Sequence, residues 1–251
     1  MENRSPWPAG RVALVTGGAR RVGRAVALAL ADADMDVALT CRTSGDEAEN
    51  VVRAIEAKGR RALAIHVDLA EADADEQVER AFRARFDSMA VLVNSASIFA
   101  PCAVADVTNE EFDRNLAINA RAPLMLIRRF RPLLAAHEVP GRIVNFIDIH
   151  VMGQPLGGYV AYNASKAALA EITMTCAMEL APHVTVNAIA PGVVAWAERY
   201  TEAERREYLR RVPLGRPGTP EDAARTVMFL VRDASYCTGQ VIRLDGGRLL
   251  T

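Results

Sequence analysis

Three side chains near the middle of the chain, Asp148, Tyr162 and Lys166, have the types and the spacing to move a proton. Residues four apart lie on one helical face, so a helix through Tyr162 and Lys166 holds a phenol beside an ammonium. A neighbouring cation favours phenolate and lowers the phenol pKa, which suits Tyr162 to proton donation and recovery. Asp148 stands where an apolar run ends, and that run (Ile143, Val144, Phe146, Ile147) reads as a buried strand. Alone, the Tyr-x-x-x-Lys pair fits a solvated helix face more readily than a site. It gains weight from a second pattern upstream.

That pattern is TGGARRVG, Thr16 to Gly23, placed directly after one apolar run and at the start of a helical stretch. Gly17 permits a tight turn, Gly23 permits close helix–strand packing, and the helix N-terminus offers N–H groups to a pyrophosphate. Arg20 and Arg21, with Val22 between them and Gly23, place positive charge beside those phosphates. At the tip of the next strand the sequence is Cys41-Arg42-Thr43-Ser44, with no acid to bond a ribose 2′-hydroxyl. Arg42 can pair a 2′-phosphate and the two hydroxyls can donate to it, which favours NADP(H) over NAD(H). The bland alternative is a polar loop in which Ser44 and Glu47 form a capping box.

The elements that must position these residues alternate along the chain. Strands are expected at Arg11–Thr16, Val37–Cys41, Ala62–Val67, Val91–Asn94, Val184–Ile189 and Val241–Leu244, besides the one ending near Asp148. Helices are expected at 20–33 and 47–58, through Val78, Phe82 and Phe86, from the Thr108–Glu111 capping box to a bend near Pro123, and after Thr219-Pro220. Strand–helix alternation of this kind calls for an α/β fold, a Rossmann-type doubly wound parallel sheet of about seven strands, helices on both faces, in three layers. With 251 residues and no linker, low-complexity tract or repeat, one domain spanning 1–251 is expected. Thr201 and Glu204 have capping-box spacing, so a small helical lid near 194–215 is expected to cover the substrate.

Composition narrows the function classes. The net charge is −1 and Lys occurs only at 58 and 166, which argues against a nucleic-acid footprint. No apolar run approaches the ~20 residues of a membrane span, and the amino terminus lacks a signal-peptide core. Cys41, Cys102, Cys176 and Cys237 have no metal-ligand spacing; no metal is expected, and free thiols fit a cytoplasmic protein.

The Tyr-x-x-x-Lys helix after such a strand, the glycine turn and the closing TGQVIRLDGG together resemble the short-chain dehydrogenase/reductase family. The resemblance covers essentially the whole chain. It implies that Tyr162 supplies a proton, that Lys166 tunes it and contacts the nicotinamide ribose, and that Asn119 helps hold a water near Lys166. It places Asp68 and Leu69 near the adenine, Asn94, Ser95 and Ala96 along the cofactor, and Pro191, Gly192 and Val193 beside the nicotinamide. It also suggests a homotetramer built on long helices.

The departures from the general family pattern are as informative. Arg21 replaces the middle glycine, the turn after the fourth strand reads Asn94-Ser95-Ala96-Ser97 followed by Phe99, and Asp148 replaces the usual catalytic serine. With the Gln154-Pro155-Leu156 loop and Pro191-Gly192-x-x-x-Trp196, these departures resemble bacterial pteridine reductases. That likeness implies reduction of a dihydropterin or dihydrofolate C=N bond, with Asp148 as proton relay or anchor. Phe99 would stack the ring, while Arg21, Ser97 and Trp196 would complete the pocket. His150 is read as a loop residue. The spacing from Asp148 to Tyr162 is one residue longer than the family leads one to expect. Two alternatives stay open: an NADPH-dependent carbonyl or 3-oxoacyl reductase, and a sensor that holds NADP(H) without turnover.

Overall fold

The computed structural model describes residues 11–196 and 200–251. Its seven strands are β1 (Val12–Thr16), β2 (Asp36–Cys41), β3 (Ala62–His66), β4 (Val91–Asn94), β5 (Gly141–Phe146), β6 (Val184–Pro191) and β7 (Val241–Leu244). They form one sheet in the order β3-β2-β1-β4-β5-β6-β7, and every pairing is parallel. The order reverses between β1 and β4, the kind of position where open α/β sheets bind ligands beyond their carboxyl ends.

Alternation along β1 sends its side chains into two separate cores. From β1, Ala13 and Val15 pack with α1 (Arg21–Asp32), α2 (Gly45–Glu56) and α8 (Pro220–Met228) on one face. Val12 and Leu14 pack on the other with α3 (Ala74–Arg83), α5 (Ala122–Leu134) and the end of α6 (Val160–Leu180). Because both faces are covered, β1, β2, β4 and β5 are buried along their whole length and read in sequence as nearly continuous apolar runs. Phe82 anchors the second core, with ring centroids 5.3 Å from Phe86 and 5.2 Å from Phe130.

Three helix starts form as their local chemistry requires. Thr108 caps α4 (Asn109–Leu116), Thr201 caps α7 (Glu202–Arg210) and Thr219 caps α8, each in a reciprocal capping box. The capping box of the alternative reading at Ser44 does not form: no Ser44 side-chain bond caps α2, and Glu47 pairs instead with the Arg20 guanidinium. The expected bend near Pro123 is a π-helical turn at Ala117–Arg121, immediately before that proline, joining α4 to α5. Residues 197–199 of the expected lid lie outside the described residues; within the rest of its range the chain forms α7. Among the described residues no helix is long and apolar enough to cross a membrane.

Phe82→Ala removes a fully buried ring from this second core, and the expected loss is about 3–5 kcal/mol of unfolding free energy. Equilibrium urea denaturation measures it; a loss below about 1 kcal/mol would mean that the cluster collapses around the gap.

Candidate active site

The glycine turn after β1 is held by its neighbours on the sheet. The Thr16 hydroxyl accepts the backbone N–H groups of Ser95 and Ala96, both at 3.0 Å, tying the tip of β4 to the turn. Gly17 has φ +65°, and a Cβ there would stand 2.9 Å from the Ala96 Cα. A Cβ on Gly23 would collide with the Gly17 carbonyl oxygen. Arg21, at the position where the family pattern has glycine, keeps the left-handed backbone with φ +49°. No side chain caps α1, so its first turn presents bare N–H groups.

Two adjoining hollows follow from this turn and share Gly17, Ala96 and Ser97. One, of about 330 Å³, is lined by Gly17, Arg20, Arg21, Val22, Gly23, Ser95 and Gly192 among others. The second, of about 180 Å³, is lined by Arg42, Asp68, Leu69 and Ile118 among others. Bare amides, close-approach glycine and flanking arginines fit a dinucleotide pyrophosphate. Arg42 and Arg114 both pair with Asp68, at 3.5 and 3.0 Å. Burial alone would raise the Asp68 pKa, but the Ala70 N–H and the two guanidiniums more than offset it and hold the carboxyl low. Thr43, Ser44 and Asn94 do not line either hollow. Asn94, expected along the cofactor, is buried in the sheet and donates to Asn145 Oδ1 at 2.8 Å.

The acid, phenol and amine meet at the carboxyl end of β5. Tyr162 donates its hydroxyl proton to Asp148 Oδ2 at 2.7 Å, and Asp148 Oδ1 accepts the His150 backbone N–H at 2.9 Å. The additional residue between Asp148 and Tyr162 is thus accommodated with the two in contact, through a 3₁₀ turn at Ile149–Val151 that Asp148 itself caps. Lys166 is 2% exposed and donates to the Phe146 carbonyl at 2.7 Å. Its Nζ lies 5.9 Å from the Tyr162 ring centroid.

This geometry corrects the expected direction of the tyrosine pKa. Burial, then the charge of Asp148 and its hydrogen bond, push the Tyr162 phenol well above its ordinary value. The ammonium that was expected to lower it is committed to a backbone carbonyl, while the carboxylate touches the phenol oxygen. Burial lowers Lys166 to about 8, opposed by Asp148. The tyrosine is therefore held as a protonated donor.

Asn119 does not face solvent. It is fully buried in the π turn, where its side chain accepts the Ile98 N–H at 3.0 Å and donates to Ile98 O and Ser165 Oγ. Ser165, one residue before Lys166, donates in turn to the Tyr162 carbonyl at 2.7 Å. Asn119 thus fastens the loop after β4 to the helix carrying Tyr162 and Lys166; π turns recur at functional sites.

In front of Tyr162 lies a cavity of about 320 Å³ that includes Arg21, Phe99, Asp148, Pro191, Gly192, Val193 and Trp196. Ser97, expected at the substrate, lies in the glycine-turn hollows instead, its hydroxyl donating to the Ile98 carbonyl. Phe99 is 38% exposed and stacks on Tyr159, centroids 4.8 Å apart at 13°, and meets the Tyr162 ring at 68°. Arg21 Nη2 donates to the Trp196 carbonyl at 3.2 Å, joining the first turn to the loop after β6. His150 Nδ1 lies 2.8 Å from Gln154 O, which places it in the loop framework.

Sequence reasoning missed three contributors. Tyr159 supports Phe99. Tyr208, on α7, accepts the Val193 N–H at 3.2 Å, and Arg248 enters the cavity from the carboxyl-terminal turn. Tyr159 stands only three residues before Tyr162, a signal that could have been used; the other two arrive from elements with no chemical motif of their own.

The family model described as enoyl-(acyl carrier protein) reductase matches residues 17–248. A 3-oxoacyl-[acyl-carrier-protein] reductase of Synechocystis sp. is 35% identical over 244 residues, covering 96% of this chain and 97% of the relative. The crystal structure of FolM alternative dihydrofolate reductase 1 from Brucella canis, complexed with NADP, is 35% identical with a TM-score of 0.89. It covers 97% of this chain and 95% of that one. A blue fluorescent protein from a metagenomic library, in complex with NADPH, is 34% identical with a TM-score of 0.88, covering 96% and 98%. Similarity at this level along nearly the full length, converging on the same parallel sheet, means that the protein belongs to the short-chain dehydrogenase/reductase family of NAD(P)-dependent oxidoreductases.

Proposed function

We propose that the protein is an NADPH-dependent reductase of a pterin-type C=N bond, acting on a dihydropterin or dihydrofolate. The observation that carries this reading is the Asp148 carboxyl accepting the Tyr162 hydroxyl at 2.7 Å. A ketone presents only acceptor lone pairs, and it is poorly matched to a carboxylate where the wider family has a donating serine. A pterin presents amino and ring N–H donors, which a carboxylate receives, and its imine nitrogen needs a proton as the neighbouring carbon takes hydride. Tyr162 supplies that proton, since its raised pKa keeps it protonated. Asp148 orients the phenol, anchors the donor edge and passes a proton back. Lys166, fixed to Phe146 O, places positive charge behind the phenol as the proton leaves.

NADP(H), held by the α1 N-terminus, Gly17, Arg21 and Arg42, supplies the hydride. The NADP and NADPH complexes of the two similar structures support that choice. The FolM neighbour supports the pterin substrate, whereas the Synechocystis relative supports the second reading, a 3-oxoacyl reductase. Asp148 favours the first. We also place the enzyme in the cytoplasm, where its four free thiols persist, as a homotetramer. Exposed Phe112, Met174 and Met178 on α4 and α6 offer an apolar face for assembly.

Tyr162→Phe removes the donor and is expected to lower kcat for dihydropterin about 10²–10⁴-fold, read as NADPH oxidation. Near-full turnover would remove Tyr162 from the proton path. Asp148→Ser is expected to abolish pterin reduction and to raise activity on simple ketones; unchanged pterin kinetics would dismiss the role of the acid. Arg42→Asp is expected to raise KM for NADPH about 10–100-fold, the loss of one charge-assisted contact, with little change for NADH. Equal effects on both cofactors would refute a 2′-phosphate contact.

A further inference from the structure

The turn that ends β7 aims a buried cation into the substrate cavity. Asp245 Oδ1 accepts the Gly247 N–H and Oδ2 the Leu249 N–H, both at 2.9 Å, folding the chain back on itself. Gly246 and Gly247 take φ +62° and +87°, and a Cβ at Gly247 would stand 2.9 Å from the Pro213 Cγ. This tight reversal sends Arg248 inward, where it lines the same cavity as Asp148 and Tyr162 and is only 6% exposed.

The guanidinium is held on one side and unfilled on the other. Nη1 donates to Gln154 Oε1 at 2.9 Å, and the group lies 5.4 Å from the Tyr208 ring centroid. Gln154 is fixed in turn, its Nε2 donating to the Thr251 carbonyl at 3.2 Å. Nε is buried without a hydrogen-bond partner, and Nη2 has none among the described residues. These two nitrogens form the side-on fork of an arginine, whose parallel N–H groups match the two oxygens of a carboxylate. The buried Nε left without an acceptor costs free energy that an incoming oxygen recovers, and Nη2 beside it is open to the same ligand. Arg21, the other arginine lining the cavity among the described residues, is exposed and spends a donor on Trp196 O. The Glu204 carboxylate accepts from Thr201 in the α7 capping box.

We propose that the Nε/Nη2 fork of Arg248 is a specificity-determining site for a carboxylate borne by the substrate away from the bond that is reduced. The inference deepens the reading of this cavity as the substrate site. Asp148 receives the N–H donors of the substrate and Arg248 its oxyanion, so a dihydropterin with a carboxylate-bearing side chain fits better than one without. Arg248 touches no reacting atom and acts on binding. Gln154 is a positioning residue that keeps the fork in register.

The test uses the NADP⁺-loaded enzyme, titrated calorimetrically with benzoate and with benzamide, a matched pair differing in charge. Wild type is expected to hold benzoate at least about tenfold tighter, a preference that Arg248→Gln abolishes and that Arg248→Lys restores only in part. Gln154→Ala, which leaves the arginine in place, is expected to weaken the preference about threefold or more. In turnover, Arg248→Gln is expected to raise the ratio of KM for dihydrofolate to KM for 6-methyl-7,8-dihydropterin at least about tenfold, with the effect falling on KM more than on kcat. Equal affinity of wild type for benzoate and benzamide, or a preference that survives Arg248→Gln, overturns the proposal. An Arg248-dependent benzoate preference in an enzyme that reduces neither pterin upholds the carboxylate site and refutes the pterin reading. Pterin reduction without that preference does the reverse.

Discussion

The hydrogen bond from the Tyr162 hydroxyl to Asp148 spans two elements, and most of the structure serves to bring its ends together. Asp148 leaves the tip of β5, whose position is set by parallel pairing to β4 on one side and β6 on the other. Tyr162 sits in the first turn of α6, and that helix is pinned to the sheet by polar contacts that tolerate no slippage. Lys166 reaches the Phe146 carbonyl, Thr173 accepts from Asn145, and Ser165 takes a bond from Asn119. All five of these side chains are buried or nearly so, where a missing partner costs about 1–3 kcal/mol. A one-residue shift of α6 would leave several of them unmatched at once, so register is enforced by the network as a whole.

The same burial decides the electrostatics. An ammonium and a phenol on one helical face suggest a lowered phenol pKa when only spacing is known, but spacing says nothing about which partner each group finds. Lys166 finds a carbonyl and the phenol finds a carboxylate. Burial then moves both groups toward their neutral forms, raising the tyrosine and lowering the lysine to about 8. A carboxylate in the serine position therefore changes the character of the site from one that offers two donors to one that offers a donor and an acceptor.

What could be read from the sequence were the features whose causes are local. Apolar runs predicted all seven strands, Thr108 and Thr201 predicted helix starts because a capping box closes within four residues, and Thr219 did so because proline follows it at the first helical position. The alternative box at Ser44 does not form, and Glu47 pairs with Arg20, a partner 27 residues away. Spacing could not show what Asn119 fastens together, since its partners Ile98 and Ser165 lie 21 and 46 residues distant. Family position puts Asn94 along the cofactor; the fold adds that its amide NH2 is held by Asn145 across the sheet, a partner 51 residues away. Arg21 was visible as a departure, yet only the backbone shows that it retains the glycine conformation. Arg248 escaped notice because nothing in its neighbours announces chemistry; the Asp-Gly-Gly turn that aims it reads as an ordinary reversal.

The cations around the glycine turn illustrate how a site for phosphates can be assembled before any phosphate arrives. Arg20 is paired with Glu47, and Arg42 shares Asp68 with Arg114. Unpaired, these guanidiniums would repel one another and spread over many rotamers, and ordering them on binding would cost entropy. Exposed pairs of this kind are worth only about 0–1 kcal/mol, so a phosphate that offers bidentate, charge-assisted bonds can replace a carboxylate at little cost. Asp68 is especially suited to such an exchange. If Arg42 turns to a phosphate, the closer Arg114 at 3.0 Å still neutralises the acid, and the carboxylate is not abandoned. On the proposed reading of these hollows as a phosphate site, the acids beside these arginines keep the cations ordered and would surrender them selectively, so that low net charge and phosphate binding need not conflict.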